Sequence, residues 1–499
     1  MRAGADPRHL RRARWAVCAL LAACASGGGP GKGPASVDPV DTGPTADTAP
    51  PLDTDPPEDS GAVDLCDGAA RQSVFFEPTA GLPREVTALF AGAGLVTLDW
   101  SEPGTLLFCS GEFTVALRIT APQLTLRGQG SALTSLIGDG TAPVVLLPPR
   151  DATVILEDLS LSRGTRGISQ DWSTIDDQVS LELRGVLLHH NQNTEGLGGG
   201  LRLSGHLLAE DVVISDNTLS PSTAGSVTVV GAGAWIVGSA TLRRVQVERN
   251  QALGEGAGGL YSAGSISGAG LAVWGDLWAS ELRVASNWAM LSQSGQSATL
   301  RGVGLEVQGA LRGGGIELIG NEGRATLFCS YGCMLSGQGG GLSVGGAVET
   351  GPLILKDNLL GLSTDGCPGG DCWAAADGGG LAAAQTVHVK GLVAEGNRLQ
   401  IEAPGHRTTL RGGGLHVGGD LHIEGPHHPE EGLRANVAGQ GGGIWLEGRA
   451  LQASHLRWGG PGDTENRGGD LRGRFVWDGE GLRDLTCTVG PGCRPSAAP

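Results

Sequence analysis

Cations are the first shortage in this chain. Its 35 Lys and Arg face 52 Asp and Glu, a net charge of −17, which argues against nucleic acid as a partner. Long apolar runs are also missing. Residues 15–23, WAVCALLAA, are too short to span a bilayer, and nothing else in the chain is longer and equally apolar. No loop has EF-hand or RTX spacing, so acid-rich stretches read as solvated surface rather than Ca²⁺ sites. Aromatic residues make up only 4%, so each one at an unexpected position stands out. Glycine is what the chain has in excess, with 87 residues, and its spacing is regular.

A unit recurs with constant internal spacing. A glycine cluster is followed by alternating apolar residues, a second glycine seven positions on, and an asparagine twelve further. The sets are Gly198, Gly205, Asn217; Gly231, Gly238, Asn250; Gly268, Gly275, Asn287; Gly302, Gly309, Asn321; and Gly339, Gly346, Asn358. Looser units carry Asn191, Asn397 and Asn436. In residues 231–250 the apolar pairs Ala234/Ile236, Ala240/Leu242 and Val245/Val247 have period two, the mark of short strands. Gly238 and the Arg243–Arg244 step turn the chain. Three strands and three bends make one coil, and coils stack at about 4.8 Å, so equivalent residues form columns. Gly reaches positive φ without steric cost and Asn is the next most tolerant, so both are expected at the bends. Stacked Asn side chains are expected to form an amide ladder. Between each Asn and the next glycine cluster the chain looks irregular. These excursions (218–230, 251–267, 288–301, 322–338, 359–377, 398–411) would share one edge and form the contact surface.

The repeated GGGL at 198–201, 339–342, 378–381 and 412–415, with V-x-x-N or I-x-x-N, resembles right-handed parallel β-helix repeats of the pectin-lyase-like superfamily. It is most similar to polymorphic outer-membrane-protein repeats. The resemblance covers roughly residues 105–480 and implies an all-β, right-handed, single-stranded parallel β-helix of roughly a dozen turns. Such a fold hosts enzymes, adhesins and structural spikes alike. The expected layout is a signal (1–23), a tether (24–65), an N-terminal cap (66–110), the β-helix (111–485) and a tail (486–499).

Arg2, Arg8, Arg11, Arg12 and Arg14 precede the short apolar stretch, and Leu21-Ala22-Ala23-Cys24 resembles a bacterial lipobox. That resemblance implies cleavage before Cys24, a lipid on its thiol, and a membrane partner. The expected address is the bacterial envelope, as an outer-membrane or surface lipoprotein. Ordinary secretion is the alternative, because Ala23-Cys24-Ala25 also reads as a cleavage site. Residues 26–65 are rich in Pro, Asp, Thr, Ser and Gly and hold no aromatic, the composition of an extended tether.

Ten cysteines are present. Beyond Cys18 and Cys24, proximity suggests the disulfides Cys66–Cys109, Cys329–Cys333, Cys367–Cys372 and Cys487–Cys493. Zinc is the alternative for the short pairs.

Stacking lets outward columns be read across coils for chemistry. One column runs Arg202, Trp235, Ala272, Glu306, Ser343, Ala382, His416, Trp445 and shows no consistent character. Trp235, Trp278 and Trp445 should point outward, to stack on a partner or lie under a loop. A second column runs Leu208, Thr241, Trp278, Arg312, Glu349, His388, His422. Its last three members, Glu349, His388 and His422, are metal-ligand types about 5 Å apart, or simply solvated side chains. His427, His428, Glu430 and Glu431 add nearby ligand types. Asp176–Asp177 is the only adjacent Asp pair, with no basic residue at a repeat-related position. No catalytic set and no cofactor site emerges. The expected function is a monomeric, non-catalytic binding or structural module that contacts glycan or surface protein. A polysaccharide lyase or glycoside hydrolase is the alternative.

Overall fold

A computed structural model describes residues 65–92, 94–170, 178–257, 261–329, 332–365, 372–424, 432–439, 442–447 and 451, with the backbone alone of 452–453, 471–476 and 482–487. Cys24, Asp176–Asp177, Cys367, His427, His428, Glu430, Glu431, the Cys487 side chain and Cys493 lie outside the described residues.

The described residues form a parallel β-helix. Its inward column runs Gly104, Leu124, Val154, Leu181, Leu207, Ala240, Leu277, Leu311, Val348, Val387, Leu421, Leu451, each paired in parallel with the next. Antiparallel pairing closes both ends. Val74–Pro78 pairs with Gly104–Phe108, and Leu471–Val476 pairs with Leu482–Cys487. Near the first end Phe76, Trp100, Phe90, Phe108 and Phe113 meet edge to face, and the Cys66–Cys109 disulfide ties the chain there. Val96–Trp100 and Gly104–Phe108 already stack in parallel on later strands, so coiling begins inside the segment read as a cap.

One coil, residues 268–301, shows the local logic. Leu271–Val273 and Leu277–Ala285 form the wall of the main core, and the second strand breaks its register at Glu281. Leu271, Val273, Leu277, Ala279, Leu282 and Val284 are buried there, stacked on equivalents above and below. Asn287 then closes the corner.

The segment after Asn287 differs from the loop expected there. The excursions are not irregular. Trp288–Ser294 and Ser297–Arg301 are strands, and their equivalents in other coils build two further parallel sheets of eight and six strands. These sheets enclose a separate core that includes Ala252, Ile266, Ala289, Leu291, Ala298, Leu300, Ala325, Leu327, Leu335, Leu360, Leu362, Ala374 and Ala376. From Gln192 to Arg411 the coils therefore have two lobes, a main one and a narrower second one. The small residues explain the narrowness. A Cβ on Gly337 would sit 2.7 Å from Leu360 Cδ2, and one on Gly264 would sit 2.9 Å from Leu291 Cδ1.

The asparagine ladder is present and continuous over Asn191, Asn217, Asn250, Asn287, Asn321, Asn358, Asn397 and Asn436, all fully buried. Each Nδ2 donates to Oδ1 of the next Asn at 2.9–3.0 Å. Each Asn backbone N–H donates to that same oxygen at 3.0–3.2 Å. From Asn217 onward the Nδ2 also donates to a main-chain carbonyl of a neighbouring coil, such as Val284 for Asn321. The role expected for Asn at the bend needs correcting. Positive φ belongs to the residue before it: His190, Asp216, Arg249, Ser286, Gly320, Asp357, Gly396 and Ala435, at 52–67°. Asn is selected for its amide, not for backbone tolerance.

The ladder also dictates a glycine. A Cβ on Gly200, Gly233, Gly270, Gly304, Gly341, Gly380 or Gly414 would lie 2.8–3.1 Å from the ladder amide of Asn217, Asn250, Asn287, Asn321, Asn358, Asn397 or Asn436. The third position of the glycine cluster and the Asn are one constraint seen twice.

Candidate functional site

The column Leu208, Thr241, Trp278, Arg312, Glu349, His388, His422 is in continuous register. Glu349 accepts from Arg312 Nε at 3.4 Å, and Arg312 also lies 3.6 Å from Asp276 and over the exposed Trp278 ring. His388 Nε2 sits 2.8 Å from Glu424 Oε1, and the His388 and His422 ring centroids are 6.1 Å apart. The carboxylate bonded to His388 is thus Glu424, two residues beyond His422 on the neighbouring strand. Sequence reasoning missed it because it lies in the next column.

The other column is also continuous, from Arg202 to Trp445. Its environment is the reverse of that expected. Trp235 does not point to solvent. It is buried against Val230, Ala272 and the Trp274 ring, 5.1 Å away between centroids. Trp445 is half-buried, with Arg411 over its ring, and Trp278 alone of the three is exposed. The covering surface is a column of the second lobe: Val230, Ser267, Arg301, Gln338, Asp377, Arg411. The two columns face each other along a polar seam between the lobes.

Chemistry concentrates in this seam. Glu306 is 4% exposed, and its Oε2 has no hydrogen-bond partner among the described residues. Burial pushes its carboxyl up to about 7, opposed by Arg301 and a Ser267 hydrogen bond. Asp377 is likewise raised by burial, against the attraction of His416 and Arg411. Arg411 contacts both Asp377, at 3.2 Å, and Glu447. His416 spans the same two carboxylates, with Nδ1 4.0 Å from Asp377 and Nε2 3.4 Å from Glu447. Glu447 is lowered to about 2, chiefly by His416, with Trp445 and Arg411 assisting and burial opposing. The arrangement holds protons and charge in a fixed geometry, with the charges of Asp377, Arg411, His416 and Glu447 set against one another. Half of it was invisible in sequence, because the facing columns come from different strands of the coil.

Two other surfaces are built. An outer groove of about 620 Å³ is lined by Asp211, Arg244, Gln246, Glu281, Arg283 and Glu317, among others. Arg244 is bonded to Asp211 and Glu210, and Arg283 lies 3.3 Å from Glu317, so its charges are largely paired internally. The far tip of the second lobe is different. It exposes Tyr261, Phe328, Met334 and Trp373, with Met334 and Trp373 in direct register. The Cys329–Cys333 disulfide closes the turn between two of its strands.

No protein-family model matches this chain, and no curated protein or solved structure matches it either.

Proposed function

We propose that this chain is a non-catalytic binding β-helix, held on a bacterial envelope by a lipid on Cys24, whose second-lobe tip docks a surface protein. The observation that carries this reading is the tip itself. In a chain with 4% aromatics and 3 Met, three coils expose Tyr261, Phe328, Met334 and Trp373 at one edge. Exposed aromatic and Met side chains are enriched in protein-binding surfaces. Ion pairs along the outer faces support a non-catalytic role, because they engage carboxylates such as Glu210, Asp211, Glu317 and Glu349 with arginines. The GGGL and V-x-x-N repeats, similar to those of polymorphic outer-membrane proteins, support a surface role within the pectin-lyase-like superfamily. The basic, apolar and LAAC succession supports the anchor.

The docking test uses the full chain as bait against intact envelope proteins, alongside a glycan array and polysaccharide-cleavage assays. The expected result is a protein partner whose affinity falls at least about tenfold in Tyr261→Ser/Met334→Ser/Trp373→Ser, with an unchanged Tm. A glycan ligand indifferent to that triple change, or cleavage of polygalacturonate, overturns the reading. For the anchor, palmitate labelling should tag wild type and not Cys24→Ser; equal labelling removes the lipid from the account.

A further inference from the structure

The tip of the second lobe gathers soft ligands from three successive coils. Met334, Trp373 and Arg407 are register partners, so the residues before them, Cys333, Cys372 and His406, stack in one column. The main-chain bonds from Trp373 N to Cys333 O and from Arg407 N to Cys372 O, both 2.9 Å, fix that stacking. Cys329 joins the group from the other side of its turn. One ligand atom each from Cys329, Cys372 and His406 lies within 4.8 Å of the others. Cys333 Sγ adjoins this group through its bond to Cys329 Sγ.

The imidazole is posed as a ligand. His406 Nδ1 is 3.3 Å from the Pro404 carbonyl oxygen, which suits an N–H donor there. Its Nε2 is buried and has no hydrogen-bond partner among the described residues. A backbone carbonyl on one ring nitrogen and an open lone pair on the other is the usual state of a metal-binding histidine. The sulfurs have matching support, since Cys333 N–H donates to Cys372 Sγ at 3.3 Å, a bond that stabilises a thiolate. Once the Cys329–Cys333 bond is opened, three sulfurs and one imidazole would form a zinc ligand set, and the 4.8 Å spread of Cys329, Cys372 and His406 accommodates the roughly 3.8 Å between tetrahedral sulfurs set by Zn–S bonds of about 2.3 Å.

We propose that Cys329, Cys333, Cys372 and His406 form a metal site of the Zn²⁺ class, closed as disulfides and opened by a thiol reductant. In this structure Cys329–Cys333 is bonded and Cys372 is also in a disulfide. Each disulfide accepts two electrons and two protons from two reductant thiols, which leave as their own disulfide. Two cysteine thiols result. Zn²⁺ then displaces the protons of the Cys329, Cys333 and Cys372 thiols and takes the lone pair of His406 Nε2. The oxidised tip is stapled by covalent bonds and the reduced tip by the ion, so the same loops stay closed in either redox state. The proposal is independent of tip docking, because it concerns the sulfurs and the His406 imidazole rather than the exposed side chains around them.

The test titrates Co²⁺, then Zn²⁺, into the full chain after anaerobic reduction, with the oxidised chain in parallel. The expected result is thiolate-to-cobalt absorption and tetrahedral d–d bands at about one Co²⁺ per chain, bleached by Zn²⁺. The oxidised chain should give none. Cys329→Ser/Cys372→Ser should abolish the bands, and His406→Asn should weaken affinity at least about tenfold with a shifted d–d envelope. Bands that survive the double Cys change place the thiolates elsewhere and overturn the proposal. So does a His406→Asn spectrum and affinity equal to wild type. If the variants misfold, the wild type decides: no tetrahedral Co²⁺ spectrum from fully reduced protein also overturns it.

Discussion

From Gln192 to Arg411 the two lobes share the same coils, yet they are held by different means. The main lobe packs Leu, Val and Ile and lines one corner with eight buried amides. The second lobe packs Ala and Leu around glycines and, in place of a ladder, relies on sheet contacts, hydroxyl pairs such as Thr326–Ser363, and cysteines at its tip. The difference teaches what a buried polar column does. Each amide inside the ladder accepts two bonds and gives two, so a one-residue slip within a coil would orphan donors and acceptors at once. Main-lobe register is therefore specified by hydrogen bonds as well as by volume. The second lobe has scattered side-chain bonds such as Thr326–Ser363 and Gln293–Ser262 but no continuous polar column, and takes more of its register from the lobe beside it.

Changes at the ladder should cost most. Asn321→Ala removes the acceptor for Asn287 N–H and Nδ2, and the donor to the Val284 carbonyl. The expected loss is about 3–5 kcal/mol by urea unfolding. A loss below about 1 kcal/mol would mean that water or relaxation replaces the ladder. Gly304→Ala comes next, at about 2–4 kcal/mol, because its Cβ would meet the Asn321 amide at 2.8 Å and the Gly341 oxygen at 2.7 Å. The matched change in the other lobe sharpens the contrast. A Cβ on Gly361 would find its nearest neighbours at 3.7 Å, so Gly361→Ala should fall within about 0.5 kcal/mol of wild type. Equal costs at the two glycines would erase the distinction.

The seam between the lobes should respond to pH. Glu306 titrates near 7 when folded, above its ordinary 4.5. The unfolded chain therefore ionises first. Stability from this group is full below pH 4.5 and declines as pH rises through about 7. Glu306→Gln should flatten that decline and raise stability at pH 8 by about 1–2 kcal/mol. Denaturation midpoints at pH 5 and pH 8 measure it, and an unchanged slope would show that Glu306 is not the responsible group. Glu447 has the opposite sign. Lowered to about 2 beside His416, it stabilises above the ordinary Glu range and loses that effect as pH falls. Its side chain is nearly half exposed, so solvent screens the effect and Glu447→Gln should flatten the acid limb only slightly.

The seven- and twelve-residue spacings, the period-two apolar pairs and the Asn column were legible because each is a local pattern repeated in register. Both outward columns could be written out from the repeat alone, and their pairing holds from Arg202 to Trp445 and from Leu208 to His422. Legibility failed where the partner comes from elsewhere in the coil. Strands such as Trp288–Ser294 and Glu322–Phe328 do alternate, with Ala289/Leu291 and Ala325/Leu327 inward, but Ala and Gly carry too little contrast to announce a core. Their varying lengths looked like loops. Once those strands fold back, Trp235 and Glu306 are covered, an outward column becomes a buried seam, and Arg411 meets Asp377 and Glu447.

The sequence by itself determined the coil: its strands, its bends, the amide ladder and the columns, because stacking turns a linear repeat into a spatial one. Only the tertiary structure decided what each column faces. Burial, a shifted proton affinity and a converging set of sulfurs depend on distances between strands that the chain separates by many residues. Those distances are set by how closely small side chains let the second lobe approach the first.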